Sequence, residues 1–233
     1  MARSLRSGIL PPSAYFPPAE LASPEGLIGV GGELTPDWLL DAYRHGIFPW
    51  PFHDEQLAWW SPDPRAVFEL DGLHISRRLA RTVRSGRFTA SCDLAFADVM
   101  EGCATAQSRR YGTWITPSMK VAYRRLHEQG HAHSIEVWRD GQLAGGTYGV
   151  AIGGLFAAES MFYRVRDASK IALVHLLGHL NARGYELLDI QQLTAHTESL
   201  GAIEISRRTF LSRLSQALDR PVTFGAELEA AHR

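Results

Sequence analysis

Residues 133–163, HSIEVWRDGQLAGGTYGVAIGGLFAAESMFY, carry two turn signals between three largely apolar runs. Asp140-Gly141 is a dipeptide favoured in the type I′ turn of a two-residue hairpin, where both central residues take positive φ. Gly153-Gly154 turns the chain a second time. The runs 133–139, 142–152 and 155–163 are therefore expected as three consecutive antiparallel strands. Downstream, 168–183 reads as a helix stopped by Gly184, 186–191 as a short strand and 206–218 as an amphipathic helix. The order β-β-β-α-β-α predicts an α+β fold.

Upstream of this unit the pattern predicts a strand over 66–70, a helix through the arginines that follow, a strand over 88–91, and helices over 94–106 and 117–127. Pro11, Pro12, Pro17, Pro18 and Pro24 keep the first 25 residues extended, and Thr35-Pro36 then opens a helix that runs through Tyr43 and stops at Gly46. Residues 47–65 interleave Pro49, Pro51, Pro62 and Pro64 with Phe48, Trp50, Phe52, Trp59 and Trp60. That is too much proline for a helix and too much aromatic surface for a disordered linker, so an ordered wall between two units is expected. The implied division is a small N-terminal domain, 1–65, packed on a larger domain, 66–233. The β-β-β-α-β-α order of the larger one is similar to the N-acyltransferase fold (GNAT-like) of acetyl-CoA enzymes.

A chain of 233 residues with 45% hydrophobic residues can bury a full core. It has no run of about 18 apolar residues and no apolar signal-peptide core at its N-terminus, which makes a cytoplasmic location, away from any membrane, the expectation. Cys92 and Cys103 are too few for a disulfide framework and lack CxxC spacing, so both are expected as buried thiols. The net charge of −1 names no partner, but the basic residues are unevenly spread. His74, Arg77, Arg78, Arg81, Arg84 and Arg87 fall in a stretch with no acid between Asp71 and Asp93. Arg77, Arg81 and Arg84 share one helix face by i, i+4, i+7 spacing, which suits either a solvated face or contacts to phosphates.

Several signals are weaker than they look. His175 and His179 have the i, i+4 spacing of a zinc pair, but His-Leu-Leu-Gly-His lacks the glutamate of a zinc protease, and no metal is expected. Gly29, Gly31 and Gly32 do not open a helix after a strand, and no G-x-S-x-G elbow occurs. A CoA enzyme needs a run of backbone N–H groups, usually glycine-rich, before the helix that follows the third hairpin strand. Here that turn, 163–170, contains no glycine, while Arg164, Arg166 and Lys170 supply cations for the phosphates of some other donor. Two carboxylates remain in apolar surroundings, Glu159 and Asp189. An unpaired acid in a strand buried on both sides costs several kcal/mol. Gln191, two residues beyond Asp189, is expected on the same face and within hydrogen-bonding reach of it.

These residues, with the runs GIFPW (46–50), WWSPDPR (59–65), HISR (74–77), GTWIT (112–116), 130–138, ESMF (159–162), ASK (168–170) and SLGA (199–202), resemble the leucyl/phenylalanyl-tRNA–protein transferase family. Any one run is weakly specific; the set in this order, spanning about 26–210, is highly specific. The resemblance implies transfer of Leu or Phe, less readily Met, from aminoacyl-tRNA to proteins that begin with Arg or Lys, which marks them for degradation. It implies no cofactor. Trp50 and Trp114 match the tryptophans that handle the 3′-terminal adenosine, and Tyr123 matches a tyrosine near the donor. Phe156, Met161 and Leu188 match the wall of the amino-acid pocket. Thr147 and Leu176 stand where larger pocket residues occur, and Ile190 where the pattern has cysteine. Glu159, Asp189 and Gln191 match the polar groups that meet the acceptor amine.

An aminoacyl ester is already activated, so the chemistry needs little beyond a neutral amine placed beside the carbonyl. The expected division of labour gives Asp189 the charge or proton and Gln191 the orientation of the amine, because an amide is barely basic. A CoA-dependent acyltransferase and a non-catalytic binder of tRNA ends remain as alternatives.

Overall fold

The computed structural model describes residues 10–51, 56–106 and 113–229. After a 3-10 turn at Ala19–Leu21, β1 (Leu27–Val30), β2 (Phe48–Pro49) and β3 (Ala58–Trp60) form a three-stranded antiparallel sheet in the order β1-β3-β2, with α1 (Pro36–Arg44) against it. The proline-rich wall thus contains a small sheet, which short strands interrupted by prolines had hidden from the periodicity. Thr35 caps α1 through the Trp38 N–H and Pro36 occupies its first turn, as that dipeptide predicts.

A seven-stranded sheet in the order β10-β4-β9-β8-β7-β6-β5 organises the rest. Its strands are β4 (Arg65–Phe68), β5 (Thr89–Cys92), β6 (Ala132–Arg139), β7 (Gln142–Ile152), β8 (Leu155–Tyr163), β9 (Leu187–Gln191) and β10 (Ile203–Ile205). The meander β6-β7-β8 is antiparallel throughout, and Asp140 and Gly141 both have positive φ (52° and 74°), as the I′ turn requires. β8 and β9 pair in parallel, the only such pair among the described residues, joined by the crossover helix α5 (Ala168–Arg183). Gly184 ends that helix at φ 81°.

Helices cover both faces. α3 (Phe96–Ala104), α4 (Pro117–Glu128) and α7 (Arg207–Leu218) share one core cluster with α1 and Phe48 and Trp59 of the small sheet. The opposite cluster is built on α5, with Leu79 of α2 (Arg77–Arg84) and Phe224 closing it. A one-turn helix, α6 (Ala195–Glu198), and β10 complete the fold; both are too short to show a period in the sequence.

Candidate active site

Two irregularities in adjacent strands create the site. In β8 the pairing with β7 jumps from Gly149↔Ala158 to Tyr148↔Ser160, so Glu159 is the extra residue of a β-bulge. Gly149 permits this, because a Cβ there would collide with the Phe156 ring and the Ala157 carbonyl. In β9 the pairing with β4 jumps from Val67↔Asp189 to Ala66↔Gln191, and Gln191 takes φ 59°. The parallel register of β8 and β9 runs only from Leu155↔Leu187 to Ala157↔Asp189. Beyond that point the two strands are no longer paired, and a cleft of about 790 Å³ lies there, lined by Glu159, Met161 and Tyr163 from β8, Gln191 from β9, and Ser169, Lys170 and Leu173 from α5.

The bulge turns the Glu159 carboxyl toward α1 and α4. Tyr43 donates to Oε1 at 2.7 Å, Tyr123 donates to Oε2 at 2.9 Å, and the two hydroxyls are 2.5 Å apart. Burial pushes the carboxyl up to about 7, against the opposing pull of the two tyrosine hydrogen bonds, with the nearby Asp189 charge adding to the rise. Burial and the Glu159 charge hold both phenols well above their ordinary range, so they remain neutral donors. A carboxyl that titrates near neutral pH in the wall of a cleft can take up or release a proton at cellular pH. Tyr43 was not singled out by its sequence context.

Asp189 is arranged otherwise than expected. It is 1% exposed and forms a two-pronged ion pair with Arg65, itself 1% exposed: Nε to Oδ1 at 2.9 Å and Nη2 to Oδ2 at 2.7 Å. Arg65 also donates to the Gly46 carbonyl at 3.0 Å, and its guanidinium lies over the rings of Phe48 (4.9 Å) and Phe210 (4.4 Å). The aspartate is therefore a paired charge turned away from the cleft, and the bond expected from the Gln191 side chain is made by the Gln191 backbone N–H to Oδ1 at 2.9 Å. That bond fixes the bulge that aims Gln191. The Gln191 amide is satisfied with its nitrogen donating to the carbonyls of Ala158 (3.0 Å) and Ile190 (2.9 Å). Its oxygen then takes the amide position 3.4 Å from Glu159 Oε1, as an acceptor beside the carboxyl. Sequence could have raised Arg65 as a partner for Asp189 only through the observation that a buried acid needs a cation.

The remaining candidates separate into groups. Phe156 and Leu188 are register partners, and with Leu176 of α5 they are enclosed in the core between sheet and helix, each 1% exposed or less. Met161 reaches the open cleft, with Thr147, Phe162 and Leu173 beside it. The bulge explains the split: Phe156 and Ala158 belong to the α5 cluster while Phe162 belongs to the opposite one, so the alternation changes phase at Glu159. Trp50 and Trp114 stack on each other at 4.4 Å with 23° between planes, and Trp50 is 38% exposed. Arg77, Arg81 and Arg84 are exposed on α2, and Arg78 pairs with Asp167 at 2.7 and 2.9 Å, which brings α2 to the cleft rim at the start of α5. His179 accepts the Glu229 N–H at Nδ1 and bonds the Phe224 carbonyl through Nε2, so it clasps the C-terminal segment. No group of three His, Cys, Asp or Glu side chains suited to a metal occurs among the described residues. Gly112 of the GTWIT run lies outside the described residues.

Residues 67–215 match the family model described as leucyl/phenylalanyl-tRNA protein transferase, and residues 32–63 match the model of that family's N-terminal domain. The chain belongs to this transferase family. A leucyl/phenylalanyl-tRNA–protein transferase of Chromohalobacter salexigens is 54% identical over 210 residues, covering 89% of this chain and 82% of the relative. One from Nitratidesulfovibrio vulgaris is 49% identical over 223 residues, covering 95% of each. Among solved structures, L-PGS from Bacillus licheniformis is similar over 80% of this chain and 71% of its own, at a TM-score of 0.43 and 12% identity. A GCN5-related N-acetyltransferase from Kribbella flavida is similar over 73% and 61%, at 0.38 and 12%. Glu159 and Gln191 at the two bulges, the Arg65–Asp189 pair and the Trp50–Trp114 stack all lie within or between the two segments that the transferase models match.

Proposed function

We propose that this transferase moves leucine or phenylalanine from aminoacyl-tRNA onto the α-amino group of proteins beginning with Arg or Lys, with Glu159 as the proton acceptor. The observation that carries this reading is the Glu159 carboxyl, raised to about 7 and held by Tyr43 and Tyr123 in the wall of the cleft. A free α-amino group has a pKa of about 8, so a useful fraction arrives neutral. The Gln191 amide oxygen accepts one of its N–H bonds and directs the lone pair at the ester carbonyl. As nitrogen attacks, the C–N bond forms and its ammonium proton passes to Glu159; as the C–O bond to the tRNA ribose breaks, Glu159 returns that proton to the departing ribose oxygen, leaving a tRNA hydroxyl and a regenerated carboxylate. Asp189 acts one step back: paired with Arg65, it holds the bulge that aims Gln191. The carboxyl of Glu159 also attracts a cationic N-terminal side chain.

The donor's amino acid lies against Met161, Thr147 and Leu173, with Phe156, Leu176 and Leu188 fixing the depth from behind. The exposed face of the Trp50–Trp114 stack receives the terminal adenosine, and Arg77, Arg81 and Arg84 meet acceptor-stem phosphates. Residues 1–65 form the N-terminal domain and 66–233 the catalytic one. The reaction needs no metal or cofactor because the ester supplies the activation. Its site of action is the cytoplasm, where charged tRNA is found; among the described residues no helix is long and apolar enough to cross a membrane. The test is incubation with Phe-tRNA and an Arg-initiated peptide, read by mass. A peptide extended by one phenylalanine is expected; transfer from acetyl-CoA instead would overturn the reading.

A further inference from the structure

β8 ends on an aromatic residue that the chemistry above does not use. Tyr163 is 63% exposed although it lines the cleft, and its cross-strand neighbour on β7 is Gly145, which has no side chain to cover the ring. Being two residues from Met161 beyond the bulge, it stands on the same face of the strand as that pocket residue. An exposed aromatic ring held on a regular strand offers a flat apolar surface in a fixed orientation. Arg166 and Lys170 line the same end of the cleft, and neither has an ion-pair partner among the described residues, whereas Arg78 is neutralised by Asp167 and Arg164 is turned to the Leu143 carbonyl and the Phe162 ring. The Arg78–Asp167 pair ties the first turn of α2 to this end of the cleft, and Arg77, Arg81 and Arg84 are exposed on the same helix.

We infer that Tyr163, with Arg166 and Lys170, forms a landing place for the unpaired nucleotides that precede the terminal adenosine of the donor tRNA: the ring stacks on a base and the two cations meet phosphodiesters. The inference rests on the transferase reading and on a stem docked along α2. An aromatic face beside unneutralised cations is the combination that binds single-stranded nucleic acid with little regard to sequence, since every base has a stacking face and every link a charge. The same surface suits an incoming peptide less well, because a chain beginning with Arg or Lys would meet two like charges.

The experiment compares two donors on the full chain: Phe-tRNA, and phenylalanyl-adenosine, which carries the ester and the terminal nucleoside but no preceding nucleotides. Wild-type transfer from Phe-tRNA to an Arg-peptide is measured first, and its failure would fall on the transferase reading itself. Given that transfer, Tyr163→Ala is expected to raise KM for Phe-tRNA about 5- to 150-fold, the range that loss of one stacked base spans, and to leave KM for phenylalanyl-adenosine unchanged. Tyr163→Phe keeps the ring and is expected to behave as wild type. Arg166→Ala and Lys170→Ala should each flatten the salt dependence of tRNA binding by about one unit of slope. An equal effect of Tyr163→Ala on both donors, no effect on either, or a rise confined to KM for the peptide would each overturn the inference.

Discussion

Glu159 owes its behaviour to competing influences of known sign, which makes its titration predictable. Burial raises its pKa and the tyrosine hydrogen bonds lower it, for a balance at about 7. Below that value the carboxyl is protonated and accepts nothing, and the acceptor amine is itself protonated below about 8. Log kcat/KM should therefore fall with slope two below pH 7 and with slope one between 7 and 8. Glu159→Gln should lower the rate and leave slope one throughout; a mutant profile parallel to wild type would remove Glu159 from the proton's path. Tyr43→Phe deletes a bond that favours the charged form, so the lower break should move to higher pH, and a shift to lower pH would contradict the assigned donor direction. For Asp189→Asn, one charge of a buried pair disappears and Arg65 remains enclosed and uncompensated, a change that costs about 3–5 kcal/mol in comparable pairs. Its signature should be a lowered midpoint of thermal unfolding together with lost transfer. A variant as stable as wild type would mean that Arg65 finds another partner. That Asp189 needed a companion was legible in the apolar strand around it; that the companion is 124 residues away in sequence was not.

At the scale of elements, the meander and its crossover helix could be read closely, because a two-residue turn, a glycine stop and strands of eight to eleven residues leave strong marks. The two bulges could not. A bulge shifts the phase of a strand by one, and the sequence of β8 gives no sign of where alternation changes, so nothing in it separates Phe156 from Met161, although of the two only Met161 reaches the open cleft. β1, β2, β3 and β10 escaped notice for another reason: two to four residues hold no period to detect. The helix α2 was legible, and it supports a prediction of its own. Arg77, Arg81 and Arg84 are exposed, so replacing each by Ala should leave thermal stability nearly unchanged while reducing the salt slope of tRNA binding by about one. Unchanged slopes in all three variants would return that face to plain solvation.

Across the whole molecule, the site depends on parts that are far apart in the chain. Tyr43 comes from α1, Tyr123 from α4, Glu159 from β8 and Gln191 from β9, and the core that holds the first two is continuous with the N-terminal sheet. Such a site adds a cost to the fold. The Glu159 pKa is higher when folded than the ordinary carboxyl value of 4.5, so the folded state binds its proton more tightly, and stability present below about pH 4.5 is lost as pH rises through about 7. Glu159→Gln should accordingly raise the unfolding midpoint by a few degrees at pH 8 and by little at pH 4.5. An equal shift at both pH values would show that packing, and not ionisation, is responsible. Arg65 reaches both ways from its position at the start of β4, to the Gly46 carbonyl behind it and to Asp189 ahead. For anyone recombining relatives, a cut near 65 has a condition: a hybrid that takes residues up to 64 from one parent and the remainder from another must still present aromatic rings at 48 and 210 to the incoming arginine. Where the parents differ at either ring, the two positions have to be exchanged together, and a crossover that separates them is expected to lower the unfolding midpoint even when each half is native in its own parent.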